Sequence, residues 1–357
     1  MIRGLKHMKV CIVTVYDSIN CGSYWQAKAL GIKLKQMGID VTYLKRKNDS
    51  NSSSSRKKQF RIFASYCKHQ KISSALRYGL SLRDFSYLHK KTNVTENTME
   101  FDCFVLGSDT IWNLNEEYFR THSNTYWGVD FFPCKVISYA ASAANTTAKQ
   151  IAPELHDAIG KMYAVSVRDK HTYDLVCNDN TREVQIVCDP TLLLKKEEYL
   201  RYMLNNHEHE GFVFLYLSEN LSVEQSMELR SFCKEKGLKI INGFGFEKPD
   251  YCDKSIIMEP RRFLTYMYFA EYIITDTFHG TVFSVCFNKL FVSLDRGKRK
   301  VNDFLENIGL KERMIDNESN IIERMILPYD YSHISLIVDK MRNDSIAYLR
   351  NSLIEQK

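Results

Sequence analysis

Long hydrophobic runs are missing from this chain of 357 residues. No stretch reaches the roughly 18 apolar residues that a transmembrane helix requires. The first apolar run, which ends before Asp17, is only seven residues long and has no small-residue cleavage site behind it. Because a secretory signal peptide needs a longer apolar segment and such a site, this run does not fit one. The sequence therefore predicts a cytoplasmic protein.

Signatures of metal, nucleotide and nucleic-acid binding are also missing. The chain has no C-x-x-C pair, no His/Cys cluster at metal spacing, no G-x-G-x-x-G and no P-loop. Zinc-finger, RNA-recognition and helix-turn-helix patterns are absent as well, so we do not expect a nucleic-acid partner. Ten cysteines are scattered along the chain, which is typical of reduced, buried thiols and not of a disulfide framework. We predict no metal site and no resident cofactor.

The net charge of +6 is unevenly placed, because residues 45–91 hold thirteen Lys or Arg and only two acidic residues. Within this basic insert, the Ser- and Asn-rich stretch 48–56 predicts a mobile loop, and basic helical sequence follows to Leu88. One interpretation is a solvated, charged surface segment. The other is a surface that attracts anionic lipid head groups or an anionic acceptor. The second interpretation predicts a cytoplasmic protein in peripheral contact with an anionic membrane.

Apolar segments of strand length alternate with segments of helical periodicity in two blocks. In the first block, a strand at 9–15, a helix ending at Gly38 and a strand at 39–44 form a βαβ unit, which implies parallel strands. The other predicted strands lie at 101–109, 136–143, 164–169, 183–194, 212–218, 238–243, 272–276 and 289–294. This order predicts an α/β protein with two Rossmann-like, doubly wound domains that face each other across a cleft. The predicted domains are residues 1–195, which include the insert at about 45–91, and 196–330, followed by a terminal helix at 331–357.

The stretch ITDTFHG, residues 274–280, places His279 between a buried strand and an apolar helix. In open α/β sheets, ligands bind at the carboxyl edge of the strands, and a helix start attracts anions. His279 is therefore a candidate proton shuttle, although a structural histidine is an alternative. A further alternative makes Cys21, next to Gly22, a nucleophile with His279 as its base.

Seven motifs in a fixed order give the chain a family resemblance. They are the loop with Asn20 and Gly22, VLGSDTIWN (105–113), SYAAS (138–142), SVRD (166–169), VCDPTLLL (187–194), ITDTFHGTVFSVCFNKLFV (274–292) and DFLENIGLKER (303–313). In this order they resemble the polysaccharide pyruvyl transferase family. The resemblance implies a fold similar to the B-type glycosyltransferases, with phosphoenolpyruvate as donor substrate and a sugar of a cell-surface glycan, or its lipid-linked precursor, as acceptor. The sequence departs from the family pattern at Thr277, where many members have an arginine that helps to bind the donor.

Pyruvate ketal formation requires a proton for the methylene carbon of phosphoenolpyruvate and cations for its carboxylate and phosphate. We predict His279 and Asp109 as catalytic residues and Arg168 as the main donor clamp. Arg168 could instead form an ion pair with a neighbouring Asp, and Asp109 could cap a turn. The other predicted donor-binding residues are Gly107, Ser108, Gly280, Thr281 and Arg299, with Arg296 and Lys298 as further cations. The predicted acceptor or loop residues are Asp17, Asn20, Gly22 and Asp276, of which Asp276 either orients His279 or caps the following helix.

Two other functions stay open at this point. The same fold supports glycosyl transfer from a nucleotide sugar, and a non-catalytic glycan-binding or assembly protein would also suit it.

Overall fold

The computed structural model describes residues 8–45, 52–177, 183–205, 211–316 and 319–354, with the side chains of 52–58 left out. Its strands form two separate groups, one from each half of the chain. The first group is β1 (Lys9–Val13), β2 (Asp40–Leu44), β3 (Val94–Thr95), β4 (Cys103–Leu106), β5 (Lys135–Ser138), β6 (Val165–Val167) and β7 (Val184–Ile186). The second group is β8 (Phe212–Tyr216), β9 (Lys239–Asn242), β10 (Lys254–Ser255), β11 (Tyr272–Thr275), β12 (Leu290–Leu294) and β13 (Met314–Ile315).

All described strand pairs are parallel, and both groups have the strand order of a dinucleotide-binding fold. The first sheet runs β3-β2-β1-β4-β5, and single bridges at Ile137–Ala164 and Ala141–Val167 attach the β6-β7 pair beyond β5. The second sheet runs β10-β9-β8-β11-β12-β13. Each sheet therefore reverses its order next to its first strand, which is where this fold opens a ligand-binding crevice at the carboxyl edge.

The helices connect the strands and cover both sheets. They are α1 (Cys21–Gln36), α2 (Ser52–Lys68), α3 (Ile72–Lys90), α4 (Glu117–Thr121), α5 (Ser123–Tyr126), α6 (Pro153–Lys161), α7 (Lys170–Cys177), α8 (Lys196–Leu200), α9 (Val223–Lys236), α10 (Pro260–Phe269), α11 (Phe278–Cys286), α12 (Arg299–Asn307), α13 (Ile321–Ile326) and α14 (Tyr331–Leu353). Short 3₁₀ turns lie at Val129–Phe131, Ala148–Gln150, Pro190–Leu193 and Lys311–Arg313. Within the described ranges, no helix combines the length and the apolarity needed to cross a membrane.

Two helices join the domains. Helix α1 belongs to the first domain, but the indole of its Trp25 donates to the Pro260 carbonyl at the start of α10, over 2.8 Å. Helix α14, at the end of the chain, returns to the first domain, where the Tyr348 hydroxyl donates to the carbonyl of Ser138 on β5, over 2.8 Å. One continuous apolar cluster therefore includes Val10 of β1, residues of α10 and Leu349 of α14.

The predicted fold class is confirmed: the protein is α/β with two Rossmann-like domains. One local expectation differs. Part of the stretch predicted as a mobile loop, 48–51, lies outside the described residues, while residues 52–56 already belong to α2. Serine is only moderately unfavourable in a helix, and four serines leading into a basic helical segment extend that segment toward the N-terminus.

Candidate functional site

The ITDTFHG stretch folds as a strand, a capped turn and a helix. The Thr277 hydroxyl accepts from the Gly280 amide at 3.0 Å, so this threonine is the N-cap of α11. A Cβ atom at position 280 would lie 2.1 Å from the Thr275 hydroxyl, so only glycine fits there. This turn leaves His279 in the first helical turn, facing the first domain.

His279 contacts the loop after β7 and the start of α1, both in the first domain. Its Nε2 lies 3.7 Å from the Asp189 carboxylate, which is within ion-pair range but too long for a hydrogen bond. Its ring lies against Gly22, where a Cβ atom would come within 2.2 Å of His279 Nδ1. Gly22 itself is held by Asn20, whose side chain accepts from the Gly22 and Ser23 amides and caps α1. The histidine is therefore only 9% exposed, at the junction of the two domains.

Asp189 is the centre of this cluster. It lies three residues after the end of β7 and immediately before Pro190. Its Oδ1 accepts hydrogen bonds from the Thr191 amide and hydroxyl at 3.0 and 2.7 Å. Its Oδ2 accepts from Arg168 Nη1 at 2.8 Å and from the Ser108 hydroxyl at 3.5 Å. Burial alone would raise the pKa of Asp189, but His279, Arg168 and the Thr191 amide hold it well below the usual carboxylate range. Asp189 is therefore ionised at neutral pH.

Arg168 is a buried cation with unused hydrogen-bonding capacity. Its Nη1 pairs with Asp189, while its Nε and Nη2 have no hydrogen-bond partner among the described residues. The guanidinium also lies 4.7 Å above the ring of Phe278. Burial would lower the pKa of Arg168, yet neighbouring carboxylates, Asp189 first, raise it above its ordinary value. The guanidinium is therefore charged and has N–H groups available for a second acceptor.

Asp109 lies beside this pair in a strained backbone conformation. Its φ of 79° is in the left-handed region, which non-glycine residues rarely adopt and which is frequent at functional sites. The Ser23 hydroxyl donates to Asp109 Oδ2 at 2.7 Å, and the Thr110 amide donates to Oδ1 at 2.9 Å. Burial would raise the pKa of Asp109, but nearby cations, Arg168 first, hold it below its usual value. Asp109 is therefore ionised at neutral pH.

A cleft of about 380 Å³ opens next to these residues, between the first domain and the start of α12. Residues 296–300 and Asp303 line one side of it, and Thr110, Ser142 and Asp169 line the other. Lys300 is close enough to Arg168, Asp109 and Asp189 for their charges to act on it. Burial and the charge of Arg168 lower the pKa of Lys300, and the two carboxylates oppose that shift. Lys300 adds a second positive charge to the cluster.

Several predicted site residues take other positions. The Asp276 carboxylate accepts from the amide and hydroxyl of Ser218 at 2.8 and 2.9 Å, and its Oδ1 lies 3.7 Å from the Lys298 ammonium. It therefore binds the loop after β8, and the predicted role as cap of α11 belongs to Thr277. The Thr281 hydroxyl lies 3.0 Å from the Ser293 hydroxyl of β12, in the interior of the second domain. The donor contact of Thr281 stays a prediction.

The structure also places Gly107 and the three predicted cations that follow β12. At Gly107 a Cβ atom would lie 3.2–3.3 Å from side-chain atoms of Thr14, Ile12 and Leu30, so this glycine is closely packed. Arg299 lines the cleft but is exposed. Arg296 donates to the Asn220 carbonyl at 3.2 Å, and the Lys298 ammonium donates to the Asp276 carbonyl at 2.9 Å.

Asp17 and Cys21 lie outside the charged cluster. The half-buried Asp17 is near α3, where its charge opposes the lowering of the His89 pKa by burial. The thiol of Cys21 is fully buried, and burial, with Glu259 second, raises its pKa well above the ordinary value. A thiolate nucleophile is therefore disfavoured at this position.

Sequence reasoning missed three members of the cluster: Asp189, Ser23 and Lys300. Asp189 carried a usable signal, because Pro190 stops the strand predicted from residue 183 and so places Asp189 at the carboxyl edge of the sheet. Lys300 directly follows Arg299, the last of the predicted cations, and nothing in the sequence distinguishes its side chain from theirs.

The chain is a two-domain α/β protein whose fold is similar to that of the B-type glycosyltransferases. Similar solved structures include a UDP-N-acetylglucosamine 2-epimerase, with 11% identity over 97% of both chains and a TM-score of 0.54. Arabidopsis thaliana UGT89C1, complexed with UDP-L-rhamnose, shares 12% identity over 98% of this chain and 99% of that chain, with a TM-score of 0.51. At these identities the likeness shows the fold alone. No curated protein matches the sequence significantly.

Family membership follows from a different comparison. The model of the polysaccharide pyruvyl transferase family matches residues 20–298, which include every member of the charged cluster except Lys300. The chain belongs to this family.

Proposed function

We propose that the protein transfers a pyruvyl group from phosphoenolpyruvate to a sugar of a cell-surface polysaccharide or of its lipid-linked precursor, forming a ketal. The observation that carries this proposal is the buried Arg168 guanidinium, which keeps Nε and Nη2 without partners among the described residues. Buried polar groups are usually satisfied, so an unused pair of donors points to an anionic ligand.

The donor's carboxylate suits Arg168. A guanidinium binds a carboxylate through two parallel N–H groups, which a lysine cannot reproduce. Asp189 holds Arg168 by Nη1 alone, at 2.8 Å, and so leaves the other donors for the ligand. This arrangement supports a role for Arg168 in binding and orienting phosphoenolpyruvate.

The donor's phosphate suits the start of α12. The N-cap of this helix, Lys298, makes no side-chain capping bond, and residues 296–300 at its start line the cleft. Lys300 lies in the same turn and adds its ammonium charge. These groups would supply the positive charge that an arginine provides in family members at the position of Thr277.

The reaction requires one proton for the methylene carbon and two hydroxyl groups as nucleophiles. In the proposed mechanism, His279 as imidazolium donates its proton to the methylene carbon, and an acceptor hydroxyl forms a bond to the adjacent carbon. That carbon then loses inorganic phosphate and bonds to a second hydroxyl of the same sugar, which closes the ketal. The proton of the first hydroxyl returns to His279, and the proton of the second leaves with the phosphate. Asp189, 3.7 Å from the ring, stabilises the imidazolium before transfer. Asp109 is a weak base because its pKa is lowered, so its proposed role is to orient the acceptor hydroxyl.

A thermal shift experiment separates this proposal from its alternatives. A ligand at one hundred times its Kd stabilises the folded state by about 2.7 kcal/mol. We expect phosphoenolpyruvate to raise the Tm of the protein and UDP to leave it unchanged, and we expect phosphate release when a sugar with two suitable hydroxyls is added. Stabilisation by UDP alone would favour glycosyl transfer. Stabilisation only by oligosaccharide, with no phosphate release, would favour a non-catalytic glycan-binding protein.

A further inference from the structure

The insert hairpin, formed by α2 and α3, carries an unusual number of exposed apolar side chains. Ile72 is 74% exposed, Phe60 71%, Leu76 61%, Tyr87 53% and Phe63 39%. Isolated apolar side chains on a surface are ordinary, but a group of them on one structural element marks an interaction surface.

The exposed residues of α3 share one face of the helix. Ile72, Leu76, Arg83 and Tyr87 are spaced by four, seven and four residues, which places them along a single stripe. The opposite face is buried: Tyr78 packs on Phe246 of the second domain, with ring centroids 4.8 Å apart. The hairpin is therefore anchored to the protein on one side and presents the stripe on the other.

The hairpin is fixed to the body of the protein by polar contacts as well. Arg77 Nε donates to the Phe246 carbonyl at 2.9 Å, and the Lys71 ammonium pairs with Glu247 at 2.7 Å. Phe63 of α2 lies against Gly79 of α3, where a Cβ atom would be 3.8 Å away. Gly79 is seven residues after Ile72 and so lies on the side of α3 that carries the stripe, which Phe63 extends onto α2. Because Arg77 and Lys71 hold the hairpin to the second domain away from this side, docking of the stripe requires no unfolding.

Positive charge surrounds the apolar stripe. Arg61, Lys68, Lys90 and Lys91 are exposed. The one acidic residue in the sequence 52–90 is Asp84, and Arg83 neutralises it at 2.8 Å. A helical surface with apolar side chains and flanking cations is the pattern that binds anionic lipid bilayers.

We propose that the insert hairpin docks the protein on an anionic lipid bilayer, with Phe60, Ile72 and Leu76 in the head-group region and the flanking cations on lipid phosphates. A second copy of the chain is a poor occupant, because two such faces would bring like charges together. A nucleic acid would use the cations but has no use for the aliphatic Ile72 and Leu76, which offer no flat surface for base stacking. The proposal concerns binding and does not depend on the proposed transfer reaction.

Vesicle sedimentation tests the proposal without any donor or acceptor. The protein is mixed with phosphatidylcholine vesicles that contain either no anionic lipid or about 30% phosphatidylglycerol, at low and high salt. We expect binding to the anionic vesicles only, and we expect it to weaken as salt screens the charges. Equal binding to neutral vesicles, or no binding to either, would overturn the proposal.

Matched variants identify the surface. Phe60→Ser/Ile72→Ser/Leu76→Ser should weaken vesicle binding at least about tenfold, since each buried side chain contributes. Val223→Ser/Met227→Ser on α9, where the side chains are 68% and 66% exposed, is the control that should bind normally.

A charge variant and two further measurements complete the test. Arg61→Gln/Lys68→Gln should weaken binding roughly 25-fold, at about fivefold for each cation near the membrane surface. Lys234→Gln/Lys236→Gln on α9 is its control. Circular dichroism checks that each variant is folded. The proposal fails if the hairpin variants bind vesicles as well as their controls. It also fails if light scattering shows a dimer that the apolar variant abolishes, or if RNA binds more tightly than the vesicles do.

Discussion

A single methyl group at position 22 should displace His279. A Cβ atom there would lie 2.2 Å from His279 Nδ1, 2.5 Å from its Cγ and 2.8 Å from its Cβ. Since non-bonded carbon atoms pack at about 3.5–4.0 Å, Gly22→Ala forces the imidazole to move by roughly 1 Å or more. Gly22 is the second residue of α1, so the substitution itself favours helix, by up to about 1 kcal/mol.

The expected result is a folded protein with little activity. A displacement of about 1 Å in a positioned catalytic group lowers turnover by roughly a hundredfold. We therefore expect Gly22→Ala to lower kcat for phosphate release from phosphoenolpyruvate by about that factor. The Tm should stay within a few degrees of the original, measured by thermal melts on the same samples.

A control in the same helix separates displacement of His279 from general damage. Gly31→Ala also brings a Cβ atom to 2.2 Å from a side chain, but that side chain is the buried Tyr43, away from the charged cluster. It should lower the Tm and leave kcat nearly unchanged. In a His279→Ala background, Gly22→Ala should have no further effect. Full turnover in Gly22→Ala, or an equal loss with and without His279, would refute the reasoning.

Four further predictions concern the charged cluster and its neighbour. His279→Ala should lower turnover by roughly 10²- to 10⁴-fold with little change in Tm; unchanged phosphate release would make it a structural histidine. Arg168→Lys keeps a charge beside Asp189 but loses the guanidinium fork, so steady-state kinetics should show KM for phosphoenolpyruvate raised by about ten- to a hundredfold, for a loss of about 1.5–3 kcal/mol; an unchanged KM would contradict a donor clamp. The folded pKa of Asp189 is depressed, so its contribution to stability is present above the usual carboxylate pKa of about 4 and is lost as pH falls below it. Asp189→Asn should lower the free energy of unfolding by about 3–5 kcal/mol at pH 7, and urea titrations should show that this free energy depends less on pH in the acid range than in the original protein. If the free energies of the variant and of the original protein fell equally steeply with acid, Asp189 would not be the group responsible. Cys21→Ala should keep kcat within about twofold, because burial holds the thiol protonated; loss of activity in a normally folded variant would revive the nucleophile hypothesis.

The fold was accessible from sequence where elements are long and periodic. The strands predicted at 9–15, 39–44 and 289–294 correspond to β1, β2 and β12, because buried parallel strands are nearly continuous apolar runs. The edge strands β3, β10 and β13 have two residues each and give no such run. They exist because a neighbouring strand offers them hydrogen bonds, and this information is not local.

The site was accessible only in part. Arg168 was found because it lies at the carboxyl end of a predicted strand, and His279 because it lies just beyond one. This argument needs no knowledge of which strands are neighbours. Asp109 carries the same signal, but its positive φ and its bond to Ser23 depend on a contact 86 residues away in sequence. Lys300 and Asp189 meet only because the second domain turns its α12 toward the end of the first sheet, which no pattern in either segment encodes.

The position of α14 has a consequence for synthesis of the chain. Tyr348 hydrogen-bonds to Ser138, Arg342 Nε donates to the Leu192 carbonyl, and the Ser345 hydroxyl accepts from the Cys188 amide. The residues of α14, which are translated after both domains, thus complete the core of the first domain. We expect the second domain to be able to finish folding sooner than the first, which must wait with β5 and the 190–193 turn uncovered until α14 emerges. A premature stop codon shortly before residue 331 removes α14. It should therefore make the first domain sensitive to proteases, although that domain is far from the stop codon in sequence.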